Sequence, residues 1–131
     1  MVLVDTSVWI NYFRKISTKG VTKLEELLDR KRPFYITGVI YQELLQGATS
    51  QKDFQRLLEY FSTQIFAYVR DPVASYSNAA LIYQQCRGKG FTIRSTVDCL
   101  IAQIAIEHQL SLLHDDKDFD SIAKVSKLKI Y

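Results

Sequence analysis

Apolar positions change period repeatedly along this chain, and each change marks an element. Val2-Leu3-Val4 is a continuous apolar run, the pattern of a strand buried on both faces. From Asp5 onward the period becomes helical, with Val8, Trp9, Tyr12 and Phe13 at core spacing. Val21, Leu24, Leu27 and Leu28 predict a helix over residues 21–31, and Pro33 forbids its continuation. Phe34 to Thr37 reads as a second strand, followed by a helix from Gly38 to Gln46 that stops at Gly47. Ser50 and Asp53 stand at capping-box spacing, ahead of the stripe Phe54, Leu57, Leu58 and Phe61. Gln64 to Val69 predicts a third strand. Asp71-Pro72 marks a helix start, a cap followed by a first-turn proline. That helix runs to about Arg87 and ends near Gly88 and Gly90. Ser95 opens another, with Val97, Leu100, Ile101, Ile104 and Ala105 facing inward. Ser111 to His114 is a fourth strand, Asp116 to Ala123 a turn or short helix, and Leu128 to Tyr131 a last strand.

Strands alternating with helices imply an α/β fold: a central parallel sheet of about five strands with helices on both faces. The 131 residues carry no repeat, low-complexity tract or Pro/Gly-rich linker, so residues 1–131 read as one domain. This topology changes the meaning of four scattered acids. In a parallel sheet every strand ends at the same edge, and ligands bind in the crevice outside it. Asp5 follows the first strand directly, and Glu43 lies in the first two turns of the helix leaving the second. The helix opening at Ser95 feeds the fourth strand, so its first turn, with Asp98, starts from that edge. Asp115 and Asp116 emerge there again after the fourth strand.

Each acid also has an ordinary explanation. Asp5 suits a helix N-cap, Glu43 a solvated helix face and Asp116 a turn. Ser95-Thr96-Val97-Asp98 resembles a capping box with Asp in the usual Glu/Gln position. The joint pattern outweighs the single readings, because four unrelated acids have no reason to share one sheet edge. Carboxylates packed together repel, and some take up protons unless a cation offsets the charge. A carboxylate set with no Cys or His in it suits a hard divalent ion such as Mg²⁺ or Mn²⁺, and so metal-assisted phosphodiester chemistry.

Bulk properties bound the rest. A net charge of +3 and a pI near 8.8 permit nucleic-acid binding without requiring it. No apolar run approaches the roughly 20 residues that span a bilayer. The opening MVLVDTSVWINYF has no basic n-region, and Asp5 interrupts its apolar stretch, so it does not read as a signal peptide. Cys86 and Cys99 lack CxxC spacing and read as small buried residues in a reducing compartment, which places the expected location in the cytoplasm. His114 reads as strand-end packing and His108 as a helix-terminal residue. Arg87, Lys89, Arg94 and Lys117 lie near the acidic rim, where a phosphate contact competes with ordinary solvation.

Four segments carry a resemblance. VDTSVWINYF, Glu43-Leu44-Leu45-Gln46-Gly47, TVDCLIAQIA and LLHDDKDFDSIA resemble the PIN-domain family, in particular its VapC-type toxins, over Asp5 to Ala123. The resemblance implies a Mg²⁺- or Mn²⁺-dependent endoribonuclease, the toxin of a toxin–antitoxin pair, homodimeric and inhibited by a cognate antitoxin. It implies Asp5 and Asp98 as main metal ligands, Glu43 and Asp116 completing the acidic pocket, and Thr6 or Ser7 steadying the Asp5 region. Asp118 is a further match that can trade roles with Asp115 and Asp116. Three rivals remain. A phospho-receiver module wants paired acids after the first strand, but Thr6 follows Asp5. A flap-type nuclease acting on DNA shares the carboxylate chemistry. A non-catalytic binding module would have lost part of the acidic set.

Overall fold

The computed structural model describes residues 1–131. Five strands, β1 (Val2–Val4), β2 (Tyr35–Ile36), β3 (Ile65–Phe66), β4 (Ser111–Leu113) and β5 (Lys129–Ile130), form one sheet in the order β3-β2-β1-β4-β5. Every pairing is parallel. Seven helices connect them: α1 (Thr6–Phe13), α2 (Lys19–Asp29), α3 (Gly38–Gln46), α4 (Gln51–Phe61), α5 (Pro72–Gly88), α6 (Thr96–Glu107) and α7 (Asp118–Val125).

The central strand is β1, and all three of its residues are buried, so both sheet faces are covered, as its unbroken apolar run predicts. Val2, Leu3 and Val4 pair with Ser111, Leu112 and Leu113. The chain places β2 and β3 on one side of β1 and β4 and β5 on the other, so the strand order reverses between β1 and β4. That switch point opens a crevice at the carboxyl ends of the two strands. The edge strands are two residues long and largely exposed, which limits edge-to-edge pairing.

Local chemistry sets the helix limits. Thr18, Thr37, Ser50, Asp71 and Ser95 each cap a helix through a side-chain oxygen that accepts a backbone N–H. Pro72 occupies the first turn of α5, and Gly90, at φ 78°, makes the left-handed turn after it. The predicted strands were too long at their ends: the second, third and last shrink to two residues, and beyond them single bonds such as Ala67 N to Ile36 O and Tyr131 N to Leu112 O continue without a full ladder. Asp116 to Ala123 resolves into a loop and the short helix α7. Trp9 is buried in an aromatic cluster with Phe34 and Phe61, although its indole N–H has no acceptor. Phe13, expected in that core, is 48% exposed. Both cysteines are buried and unpaired, and burial first, with nearby negative charge, pushes the Cys99 thiol up to about 12. It stays protonated and inert at neutral pH.

Asp115 fastens the switch point to the first two helices. Its carboxylate accepts from Asn11 Nδ2 at 2.9 Å, from Thr18 Oγ1 at 2.6 Å and from Gly20 N at 3.2 Å. The last two contacts lie at the N-terminus of α2, where free N–H groups favour an anion. A Cβ at Gly20 would fall on that carboxylate. Alanine is normally up to about 1 kcal/mol better than glycine inside a helix. Here we expect Gly20→Ala to destabilise by about 0.5–2 kcal/mol, the roughly 1.5–3 kcal/mol of a hydrogen bond to a charged group less the alanine gain. Urea unfolding checks it, and a variant as stable as the parent would contradict the close packing.

Candidate metal centre

The crevice beyond β1 and β4 collects the acids. Asp5 follows β1 and caps α1, with Oδ2 accepting from Ser7 N at 3.0 Å and from Ser7 Oγ at 2.6 Å. It is 5% exposed. Burial raises its pKa above the ordinary carboxylate value, and the Ser7 and Thr6 hydrogen bonds and the charge of His114 only partly oppose this. Its second oxygen, Oδ1, accepts no hydrogen bond within the chain. Asp5 therefore performs both roles open to it, cap and cleft acid.

Glu43 reaches the same cleft from the second turn of α3. Thr6 Oγ1 donates to its Oε1 at 3.0 Å. Glu43 is an exposed residue, but its carboxylate end is partly buried at this bond. Lost solvation raises its pKa, the Thr6 bond lowers it, and the charge of Asp5 raises it further. The two hydroxyls thus divide their work: Ser7 holds Asp5 and Thr6 holds Glu43.

Asp98 lies in the first turn of α6. The capping-box explanation fails for it. Ser95 Oγ accepts from Val97 N at 3.3 Å, and the Asp98 carboxylate bonds to nothing at the cap. It accepts no hydrogen bond from any group in the protein. Burial first, then the charges of Asp5, Asp116, Asp118 and Glu43, push its pKa up to about 7. This electrostatic coupling joins Asp98 to all three other acids named from the sequence.

Oxygens of Asp98, Asp116 and Asp118 lie within 4.8 Å of one another. Asp118 is buried and belongs to this group, whereas Asp115 is occupied with α1 and α2. Arg94, expected near the rim as either a phosphate contact or an ordinary solvated charge, bonds to both acids: Nη2 to Asp116 at 3.0 Å and Nε to Asp118 at 3.1 Å. Its position four residues before Asp98 carried no signal of that contact. His114 Nδ1 accepts from Asp116 N at 3.1 Å, and its ring lies over Phe119. It packs the strand end as expected. Lys117 lines the open cleft beside Arg94, while Arg87 and Lys89 make no contact with the acids.

Five carboxylates therefore share the cleft with one ion-paired arginine. An all-oxygen donor set, short of positive charge and with a carboxylate that no donor satisfies, fits a hard divalent cation.

This fold and acidic cleft define a class: the chain belongs to the PIN domain family, which matches residues 2–125. Within it, the chain is similar to the VapC ribonuclease Mb1587 of Mycobacterium bovis and ribonuclease VapC11 of Mycobacterium tuberculosis. It is 34% identical to each over 130 residues, covering 98% of this chain and 96% of the relative. Its fold is like that in the structure of VapBC2 from Rickettsia felis bound to a promoter DNA fragment. There the TM-score is 0.72 at 19% identity, over 100% of this chain and 98% of that one.

The raised pKa of Asp98 sets a pH dependence. Between the unfolded carboxylate value and about 7, the folded protein binds the extra proton. Stability of metal-free protein therefore falls as pH rises through this window. Divalent-ion binding needs the deprotonated form and strengthens over the same range. We expect Asp98→Asn to flatten the fall in Tm between about pH 5 and 8, which covers the upper part of that window and passes the folded value of about 7. An identical pH profile in both proteins would show that Asp98 titrates normally.

Proposed function

We propose that the chain is a Mg²⁺- or Mn²⁺-dependent endoribonuclease, the toxin of a type II toxin–antitoxin pair, acting as one domain over residues 1–131. The observation that carries this reading is the Asp98 carboxylate, which has no donor and faces Asp116 and Asp118. Asp5, Glu43, Asp98 and Asp116 would hold the cation, joined by Asp118. When bound, such an ion supplies Lewis acidity, activating water and offsetting charge on the scissile phosphate.

The protein's own groups set the rest. Ser7 and Thr6 aim Asp5 and Glu43 by one oxygen each and leave the other free. Glu43 combines a free oxygen with a raised pKa, which suits it to take the proton from the attacking water. Water adds across the P–O bond, its oxygen joining phosphorus and a proton going to the leaving ribose oxygen. Lys117, exposed on the cleft rim, is placed to contact the backbone phosphates. The VapC names of the curated relatives favour RNA over DNA as substrate, and the full acidic set disfavours a non-catalytic module.

Purified, antitoxin-free protein incubated with total RNA and Mg²⁺ or Mn²⁺ is expected to give discrete fragments. EDTA, Asp5→Asn and Asp98→Asn should each reduce cleavage at least about 100-fold, since changing a residue that only orients a metal ligand already costs about 10- to 100-fold. Undiminished cleavage by folded Asp98→Asn would refute the site, and cleavage of DNA alone would favour the flap-type alternative.

Two apolar faces support the proposed partners. Trp9, Tyr12, Phe13, Leu57 and Tyr60 line a groove of about 270 Å³ at α1 and α4, suited to an amphipathic helix of a cognate antitoxin. Tyr76, Ala80, Tyr83, Val97 and Leu100 line a groove of about 420 Å³ between α5 and α6, which we assign to homodimerisation. Tyr76 is 56% exposed, so its replacement spares the core. Light scattering is expected to find a dimer for the parent and a monomer for Tyr76→Glu. A dimer of unchanged affinity in the variant would place the contact elsewhere.

No helix is long and apolar enough to cross a membrane.

A further inference from the structure

Arg94 lies between α5 and α6, immediately before the Ser95 cap. Its side chain is 67% exposed, yet it is tied to two cleft acids. Nε donates to Asp118 Oδ2 at 3.1 Å and Nη2 to Asp116 Oδ1 at 3.0 Å. Two backbone donors reach the same oxygens: Arg94 N to Asp118 Oδ2 at 3.2 Å, and Asp118 N to Asp116 Oδ1 at 3.0 Å. The other oxygen of each carboxylate accepts nothing. An oxygen of each also lies within 4.8 Å of one on Asp98. Arg94 is the only basic side chain ion-paired to any of the five acids.

We propose that Arg94 is a positioning residue that holds Asp116 and Asp118 in place in the metal-free protein and competes with the divalent cation for them, so that it sets the affinity of the site. The inference rests on the metal-dependent reading above. Two effects of Arg94 oppose each other, and the hydrogen bonds decide between them. Orientation of the acids is supplied twice, once by the guanidinium and once by the backbone N–H groups of Arg94 and Asp118. Any residue but proline at position 94 keeps the backbone share. Charge is supplied once. Removing the guanidinium therefore leaves the acids largely aimed, and removes a positive charge that disfavours a second cation a few ångströms away. The same removal leaves the metal-free acids without their counter-charge.

Calorimetric titration of metal-free protein with Mn²⁺, paired with thermal unfolding with and without the ion, tests this. Arg94→Ala is expected to bind Mn²⁺ roughly three- to tenfold more tightly, a modest gain because the guanidinium is exposed and screened. Its Tm without metal should lie below that of the parent, and saturating Mn²⁺ should narrow the gap. Arg94→Lys keeps the charge without the planar fork and is expected to stay within about twofold of the parent affinity. If Arg94→Ala does not fold without metal, Arg94→Gln against Arg94→Lys carries the same comparison, with Gln binding more tightly. Unchanged or weaker Mn²⁺ binding by the folded, uncharged variants overturns the competition. Failure of folded parent protein to bind Mn²⁺ at all overturns the metal reading itself, a result separable from the first.

Discussion

Parallel pairing of Val2–Val4 with Ser111–Leu113 joins segments from opposite ends of the chain, and the remaining architecture depends on it. Because β1 lies at the centre and β4 beside it, the strand order reverses between them, and the crevice opens over their carboxyl ends. Asp5 and Asp116 leave from those ends. The helix before β4 must return to the opposite edge, so Asp98 begins its descent from the same rim. A slip of one residue in this pairing would turn the buried side chains of β1 to the wrong faces and move Asp5 out of the cleft. Core packing and site geometry are therefore one constraint.

The cleft works against stability. Burial raises the pKa of Asp5, Glu43 and Asp98, and repulsion from neighbouring acids raises Glu43 and Asp98 further, so each is held more easily in neutral form. Local donors reduce the cost: Ser7 for Asp5, Thr6 for Glu43, and Arg94 with two backbone groups for Asp116 and Asp118. Asp98 alone has no such support. A group left unsupported where its neighbours are supported marks where an external cation would be most effective.

Much of this was legible in the chain. Helix starts were clearest, because capping is local: Asp71-Pro72 and Ser50 act as read, and the helix from Gly38 to Gln46 has the predicted limits. The parallel sheet and the shared rim followed from alternation of elements alone. Strand ends were less legible, since pairing depends on what neighbours offer. Phe13 sits at core spacing but emerges at the groove lined by Tyr12 and Tyr60, which periodicity cannot distinguish from the interior. The capping-box pattern at Ser95 misrepresented Asp98, because spacing permits a side-chain bond that the local geometry does not make. Arg94 was illegible because its partners lie beyond the next helix and strand.

Asp115 and Asp116 show what separates a structural acid from a candidate ligand. Asp115 sits at a bend and Asp116 just ahead of the turn into α7, so the two neighbours reach different partners. One faces α1 and α2, where Asn11, Thr18 and Gly20 satisfy it, and the other faces Arg94 and Asp118. Residue type is the same for both and their positions are adjacent, so only the local path of the chain distinguishes them. Leu113 is buried and ends β4, and its pairing with Val4 fixes where the loop that carries both acids begins. Lys117 is already helical, at φ −59° and ψ −18°, and the turn into α7 brings Asp118 N onto Asp116 Oδ1 at 3.0 Å, on the Arg94 side. The acid that seemed interchangeable with its neighbours is thereby assigned to the cleft, and Asp115 to the frame that holds the cleft open.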